Sequence, residues 1–79
     1  GQAEAQYRLG FAYAGGWGVP ENEDLAAIWY RRAADQGHAQ AMVQLGHMHG
    51  DGRHFPQDDA AAAAWFQRAA DAGDADGRY

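Results

Sequence analysis

An internal repeat with a period of 36 residues constrains this chain more than any other feature of its sequence. The segment WYRRAADQG at residues 29–37 returns as WFQRAADAG at residues 65–73. Sliding the chain by 36 residues gives 14 identities in 36 aligned positions, among them Leu9/Leu45, Gly10/Gly46, Pro20/Pro56, Trp29/Trp65 and Ala33/Ala69. Periods of about 20–50 residues are typical of repeat arrays, whose units stack on their neighbours. The sequence therefore predicts one structural unit built twice rather than a site used twice.

Each unit is predicted to be a pair of helices. In the first unit Ala5, Leu9 and Tyr13 recur at four-residue spacing, as on one face of a helix, before GGWGVPEN interrupts the pattern. Asn22 and its counterpart Asp58 are suited to cap the second helix. We predict an all-α helical-repeat solenoid with helices near residues 2–14, 23–36, 38–49 and 58–72. Residues 1–36 form the first unit and 37–72 the second, and 73–79 begin a truncated third unit or fray.

Large side chains and two glycines indicate how the helices pack. Leu9, Leu45, Trp29 and Trp65 are expected to be buried framework residues. Gly10 and Gly46 lie inside predicted helices, where Gly costs about 1 kcal/mol relative to Ala. Their recurrence predicts that a neighbouring helix or a Trp ring approaches too closely for a methyl group. Gly37 and Gly73 are expected to end the second helix of each unit.

Composition argues against several classes of function. The chain carries a net charge of −5 and its six basic residues are all Arg, which disfavours binding to nucleic acid or to an anionic membrane surface. It contains no Cys, Ser or Thr, so the usual thiol and hydroxyl nucleophiles are missing. We therefore do not expect an enzyme, and no cofactor is implied. No targeting signal opens the chain, and the compartment, cytoplasmic or periplasmic, stays open.

The repeated pattern resembles the Sel1-like repeats, relatives of the tetratricopeptide repeats. The residues that carry the resemblance in the first unit are Leu9, Gly10, Tyr13, Gly16, Gly18, Val19, Pro20, Ala26, Trp29, Tyr30, Ala33, Ala34 and Gly37. The second unit departs from the pattern with His49 in place of Tyr and with His54 and Phe55 in place of Gly and Val. Because positive φ is costly for a residue other than Gly, His54 puts the path of the second loop in question. The resemblance implies a curved solenoid that acts as a protein-binding adaptor.

A candidate binding face follows if, as the resemblance implies, the first helix of each pair lines a concave surface. The residues of this face are Glu4, Tyr7, Arg8 and Phe11 in the first unit and Gln40, Val43, Gln44 and His47 in the second. Exposed aromatic side chains are frequent anchors of protein interfaces. We therefore interpret the face as a site for a protein or peptide. The alternative is that Tyr7 and Phe11 only cover a neighbouring unit.

The four histidines do not have the spacing of a metal site. Two ligands on one helix face need a spacing of three or four residues, whereas His47 and His49 are two apart. His49 is better explained by the Tyr position it fills, and His38 and His54 by solvent exposure. We therefore predict no metal site.

The remaining features are interpreted as structural. Trp17 could touch a ligand, but it is better explained as a cap on its loop. Arg32 with Asp35, like Arg68 with Asp71, is expected to form an exposed ion pair. Two units are expected to leave apolar surface at both ends, around Ala5 and Tyr7 and around Trp65 and Phe66. A second interpretation of the function is therefore end-to-end or homo-oligomeric association, or a part in a longer array.

Overall fold

Four helices make up the part of the chain that the structure describes. The structure is a computed structural model, and it describes residues 2–75. Its elements are α1 (Gln2–Gly15), α2 (Glu23–Asp35), α3 (Ala39–Asp51) and α4 (Asp59–Ala75), with no strand among these residues. The all-α prediction is confirmed, and each helix starts within one residue of its predicted position.

Side chains at the starts of the helices accept hydrogen bonds that the first turn leaves unmade. The Asn22 Oδ1 accepts from the Leu25 N–H at 3.1 Å, and the Asp58 Oδ1 accepts from the Ala61 N–H at 3.1 Å. The His38 Nδ1 caps α3 in the same way, since it accepts from the Ala41 N–H at 3.2 Å. The two predicted caps are therefore confirmed, and His38 is a third cap that the sequence analysis missed.

The predicted helix ends are right for the first unit and wrong for the second. Gly37 follows α2 with φ +88°, a left-handed conformation that Gly adopts without strain. Gly73, by contrast, lies inside α4, which continues to Ala75. Gly favours a helix end without enforcing one, and here the helical hydrogen bonds continue through it.

The helices pack in chain order, α1 on α2, α2 on α3, and α3 on α4. α2 and α3 belong to different units, so their interface, which we call the junction, holds the two units together. Tyr30 from α2 and Leu45 from α3 are the largest fully buried side chains. Small residues, including Ala26, Ala33 and Ala41, fill the rest of the core and let the helix axes approach closely.

Gly10 and Gly46 each lie under an aromatic ring. A Cβ on Gly10 would lie 2.7 Å from the Cδ1 of Tyr30, and a Cβ on Gly46 would lie 2.5 Å from the Cε1 of Phe66. The expectation of close approach is confirmed. The rings are those of Tyr30 and Phe66, however, and not those of the adjacent tryptophans.

The predicted framework is right for two of its four residues. Leu45 and Trp65 are buried, whereas Leu9 is 40 % exposed and Trp29 is half-buried. Leu45 lies on α3, which packs against both α2 and α4, while Leu9 lies on α1, which packs mainly against α2. The residue that fills the core beside Trp29 is Tyr30, which the sequence analysis did not single out as framework.

Candidate protein-binding faces

The first part of the predicted face is a pair of stacked aromatic rings on α1. Tyr7 and Phe11 are one helical turn apart, with ring centroids 6.3 Å apart and planes 26° apart. Phe11 is 49 % exposed, and Tyr7 is half-buried beneath it. Tyr7 thereby holds an exposed apolar ring in a defined position, which is an arrangement that suits contact with another protein.

Tyr7 also reaches the second unit. Its ring stacks on His38 with centroids 4.8 Å apart and lies 5.8 Å from the ring of Tyr30. Because His38 caps α3, Tyr7 connects α1 to the start of the next helix pair. Tyr7 therefore covers the neighbouring unit, whereas Phe11 faces outward, and its binding role stays a prediction.

Glu4 and Arg8 give this aromatic pair a polar border. The Nε of Arg8 lies 3.4 Å from a Glu4 carboxylate oxygen, and the Nε2 of His38 lies 3.6 Å from the other. Partial desolvation raises the pKa of Glu4, but hydrogen bonds to His38 and Arg8 outweigh it and the pKa is lowered. Glu4 is therefore an ionised acceptor at neutral pH.

The second part of the predicted face, on α3, is more polar. Gln40 and His47 are exposed, and Val43 and Gln44 are half-buried. Gln40 lines a cleft with Glu4 and His38, between the starts of α1 and α3. His47 instead meets the edge of Phe66 on α4, with ring centroids 5.2 Å apart. The structure thus brings Glu4 and Gln40 to one cleft and places His47 beside α4.

The repeated arginines contact the tryptophans and not the aspartates. Arg32 lies over the ring of Trp29 at 4.8 Å, and Arg68 lies over the ring of Trp65 at 4.4 Å. The ion pair with Asp35 is made by Arg31 at 3.2 Å, and Asp71 accepts a hydrogen bond from Gln67. The predicted Arg32–Asp35 and Arg68–Asp71 pairs are therefore wrong, because a cation three residues beyond a Trp can lie on its ring. The spacing W-x-x-R in both units was the signal for this contact.

The second loop keeps its path despite its missing glycine. His54 has φ +67°, close to the +80° of its counterpart Gly18. Its Nδ1 lies 2.6 Å from the Asp24 carboxylate, and the Nε of Arg53 lies 3.0 Å from Glu23. Two polar contacts thus tie this loop to the first turn of α2 and offset the strain at His54. The sequence analysis assigned His54 to solvent and missed this connection between the units.

Two further predictions concerned Trp17 and the apolar residues at the two ends of the stack. Trp17 folds back over Gly15 at the end of α1, and 66 % of it stays exposed. Of the apolar residues expected at the two ends, Ala5 and Phe66 are exposed and Tyr7 is half-buried. Trp65 is buried, because Arg31 and Arg68 both cover its ring.

Neither metal ligation nor a membrane span is supported by residues 2–75. Over that range no three His, Asp or Glu side chains are close enough together to hold a metal ion. None of the helices there is both long enough and apolar enough to cross a bilayer.

The stacked helix pairs match a known family of repeats. The family model described as Sel1 repeat matches the chain twice, at residues 3–38 and 39–74. The chain belongs to the Sel1 repeat family. Members of this family are generally scaffolds for protein interaction and are typically not catalytic. No protein of curated function matches the chain.

Two solved structures contain closely similar helix pairs. A Sel1 repeat protein from Oxalobacter formigenes superposes with a TM-score of 0.84 at 35 % identity, over 87 % of this chain and 28 % of that one. A protective antigen of uropathogenic Escherichia coli strains, with an SLR fold, superposes with a TM-score of 0.85 at 41 % identity, over 90 % and 15 %. The present Sel1 repeats therefore span less than a third of either relative, and both neighbours are bacterial.

Proposed function

We propose that this pair of Sel1 repeats is a non-enzymatic module that binds a protein or peptide through the α1/α3 face, defined by the eight predicted residues of α1 and α3. The observation that carries the proposal is the exposed ring of Phe11, which is held in place by its stack on Tyr7. Rigid, exposed aromatic side chains give contact area at a low cost in conformational entropy. Glu4 and Arg8 on the same helix, and Gln40 in the cleft with Glu4, add polar groups to this face.

The test compares two single substitutions of exposed aromatic residues. Full-length chain is immobilised, proteins captured from the native host are quantified by mass spectrometry, and each candidate is remeasured with purified protein. We expect Phe11→Ala to weaken specific capture by about tenfold or more, since interface aromatics often contribute 2 kcal/mol or more. Trp17→Ala is the matched control, because it removes an exposed ring from outside the face. Equal capture by both variants would contradict the proposal.

A second candidate function is assembly through the outer faces. Leu9 on α1 and Phe66 on α4 are both more than a third exposed, and they lie on opposite sides of the two-unit stack. These residues would contact further Sel1 repeats, either in the same chain or in another copy. Light scattering over a concentration series distinguishes the two functions. Association that is lost in Phe66→Glu and kept in Phe11→Ala supports assembly, whereas a monomer at every concentration excludes it for this chain.

A further inference from the structure

A groove separate from the α1/α3 face lies where α2 meets α3, the second loop and Trp65 of α4. Six residues define this α2/α4 groove: Ile28, Arg31, Arg32, His54, Phe55 and Trp65. Its volume is about 360 Å³, at the lower end of the range for ligand pockets, which is room for one bulky side chain and the backbone beside it. The functional prediction from the sequence did not include this surface.

The apolar part of the groove is open to solvent. Ile28 is 46 % exposed on α2, and Phe55 is half-buried, with its ring stacked on His49 at 4.1 Å between centroids. Trp65 also lines the groove, but it is largely buried under the guanidinium of Arg31, which is 5.3 Å from its ring centroid. A ligand side chain that entered here would displace water chiefly from Ile28 and Phe55, which favours an apolar anchor.

The charge of the groove is opposite to that of the chain. The chain has 11 acidic and 6 basic residues, yet the six groove residues include two arginines, one histidine and no carboxylate. Two of these groups already have an acidic partner, since Asp35 pairs with Arg31 and Asp24 with His54. The Arg31–Asp35 pair is solvent-exposed and therefore weak, so a ligand carboxylate can compete for Arg31. Among residues 2–75, Arg32 has no carboxylate oxygen within 4.0 Å of its guanidinium. An anionic ligand therefore fits this surface by charge.

The groove residues are not required by the repeat itself. At four of its positions, Ile28, Arg31, His54 and Phe55 stand where the other unit has Ala64, Gln67, Gly18 and Val19. Both units nevertheless form the same helix pair. The repeat fold therefore accepts small or uncharged residues at these positions, and the basic and apolar side chains of the groove are an addition to it.

We propose that the α2/α4 groove binds an acidic peptide segment that carries one bulky apolar side chain. The apolar side chain lies between Ile28 and Phe55 on the edge of Trp65. Carboxylates on either side of it pair with Arg31 and Arg32, which present planar donors suited to carboxylate oxygens. This surface acts independently of the α1/α3 face, so the two faces bind separate partners or separate parts of one partner.

The experiment is a nuclear magnetic resonance titration of the isotope-labelled full chain with three short probe peptides. The first has a single Phe flanked by Glu residues, the second replaces Glu by Lys, and the third replaces Phe by Ala. We expect the first peptide to shift the Ile28 methyl and the Trp65 indole N–H resonances, and to bind more weakly as ionic strength rises. The Lys peptide should leave these resonances unchanged, and the Ala peptide should bind about tenfold more weakly.

Substitutions that take the residue of the equivalent position in the other unit can locate the binding site without destabilising the fold. Ile28→Ala and Arg31→Gln install the residues of the second unit. Each should weaken the binding of the first peptide by about five- to tenfold. Arg8→Gln is the matched control, because it removes the same charge from α1. It should change the affinity by less than about twofold, since exposed charges far from a ligand are screened. Phe11→Ala should leave this binding intact, which separates it from binding at the α1/α3 face.

Three outcomes overturn the proposal. The first is equal binding of the Glu and Lys peptides, and the second is an effect of Arg8→Gln as large as that of Arg31→Gln. The third is the absence of any shift at Ile28 and Trp65 with the Glu peptide. If, in that case, Ile28→Ala also lowers the sedimentation coefficient of the chain, the groove is covered by a second copy and not by a peptide.

Discussion

The junction between the two units and the outer faces of the same units are built from matching residues that differ in burial. Leu45, Tyr30 and Ala41 lie at the junction and are at most 1 % exposed. Their counterparts one repeat away are Leu9, Phe66 and Ala5, of which Leu9 is 40 % and Phe66 is 38 % exposed and Ala5 is also exposed. Burial in this fold is therefore set by the neighbouring helix pair and not by the residue.

This difference assigns distinct physical roles to identical or similar residues. At the junction, apolar side chains stabilise the two units against each other, because their surface is removed from water. On the outer faces, the matching side chains bury less surface and so contribute less to stability, and their exposed parts remain available to a further repeat or a partner. In a solenoid, stability is approximately a sum of unit terms and neighbour terms, and here there is one neighbour term.

The largest expected difference is between Tyr30→Ala and Phe66→Ala. Removing the buried ring of Tyr30 should cost about 3–5 kcal/mol, which is most of the stability of a small domain. Removing the ring of Phe66 should cost less, about 1–2 kcal/mol, because 38 % of this side chain is already exposed. Urea denaturation followed by circular dichroism measures both. Similar losses in the two variants would break the distinction between junction and outer face.

Adding a methyl group beneath the two rings should sharpen the comparison. Gly10→Ala places a Cβ against a fully buried Tyr30 ring that has no space to move, so overpacking should cost about 1–3 kcal/mol. Gly46→Ala meets the ring of Phe66, which can turn toward solvent, so the gain in helix propensity of about 1 kcal/mol should largely offset the contact. The thermal midpoint should therefore fall clearly in Gly10→Ala and change little in Gly46→Ala. The opposite order would contradict this account.

A smaller, pH-dependent effect should arise from the junction alone. Burial raises the pKa of Tyr30 to about 12, with a further rise from Tyr7 and an opposing effect from Arg53. Because an unfolded Tyr titrates near pH 10, the neutral ring stabilises the fold fully below about pH 10, and this contribution is lost as pH rises towards about 12. Phe66 carries no titratable group at the matching outer position.

The variant Tyr30→Phe isolates this effect. Its free energy of unfolding should fall less steeply than that of the parent between about pH 10 and pH 12. Measuring both chains by denaturation across that range cancels the contributions of the other tyrosines. Parallel pH profiles would mean that the Tyr30 hydroxyl titrates normally and that the junction is open to water.

The sequence was sufficient for the fold but not for the environment of each side chain. The 36-residue period, the caps at Asn22 and Asp58 and the close approach at Gly10 and Gly46 depend on local chemistry, and these predictions are confirmed. The burial of Leu9 was inferred from its match to Leu45, and it is wrong because α1 lacks the second helix contact that α3 has. A residue-by-residue repeat alignment carries no information on which unit has a neighbour.

The candidate sites were predictable only in part, for a related reason. The outward position of Phe11 follows from helical spacing on one element, and the sequence contains that spacing. The α2/α4 groove brings Ile28 of the first unit to Phe55 and Trp65 of the second, so it depends on how the two units stack. The Trp–Arg contacts had a local signal in the W-x-x-R spacing, which was interpreted as part of an ion pair instead.

The most direct test of this account is the same substitution made at the two equivalent leucines. Leu45→Ala removes a side chain at the junction and should cost about 2–5 kcal/mol, whereas Leu9→Ala removes an exposed one and should cost less than about 1 kcal/mol. Equilibrium urea denaturation of both variants beside the parent chain gives the two values. The account predicts a clear loss for Leu45→Ala alone, and equal losses at the two positions would contradict it.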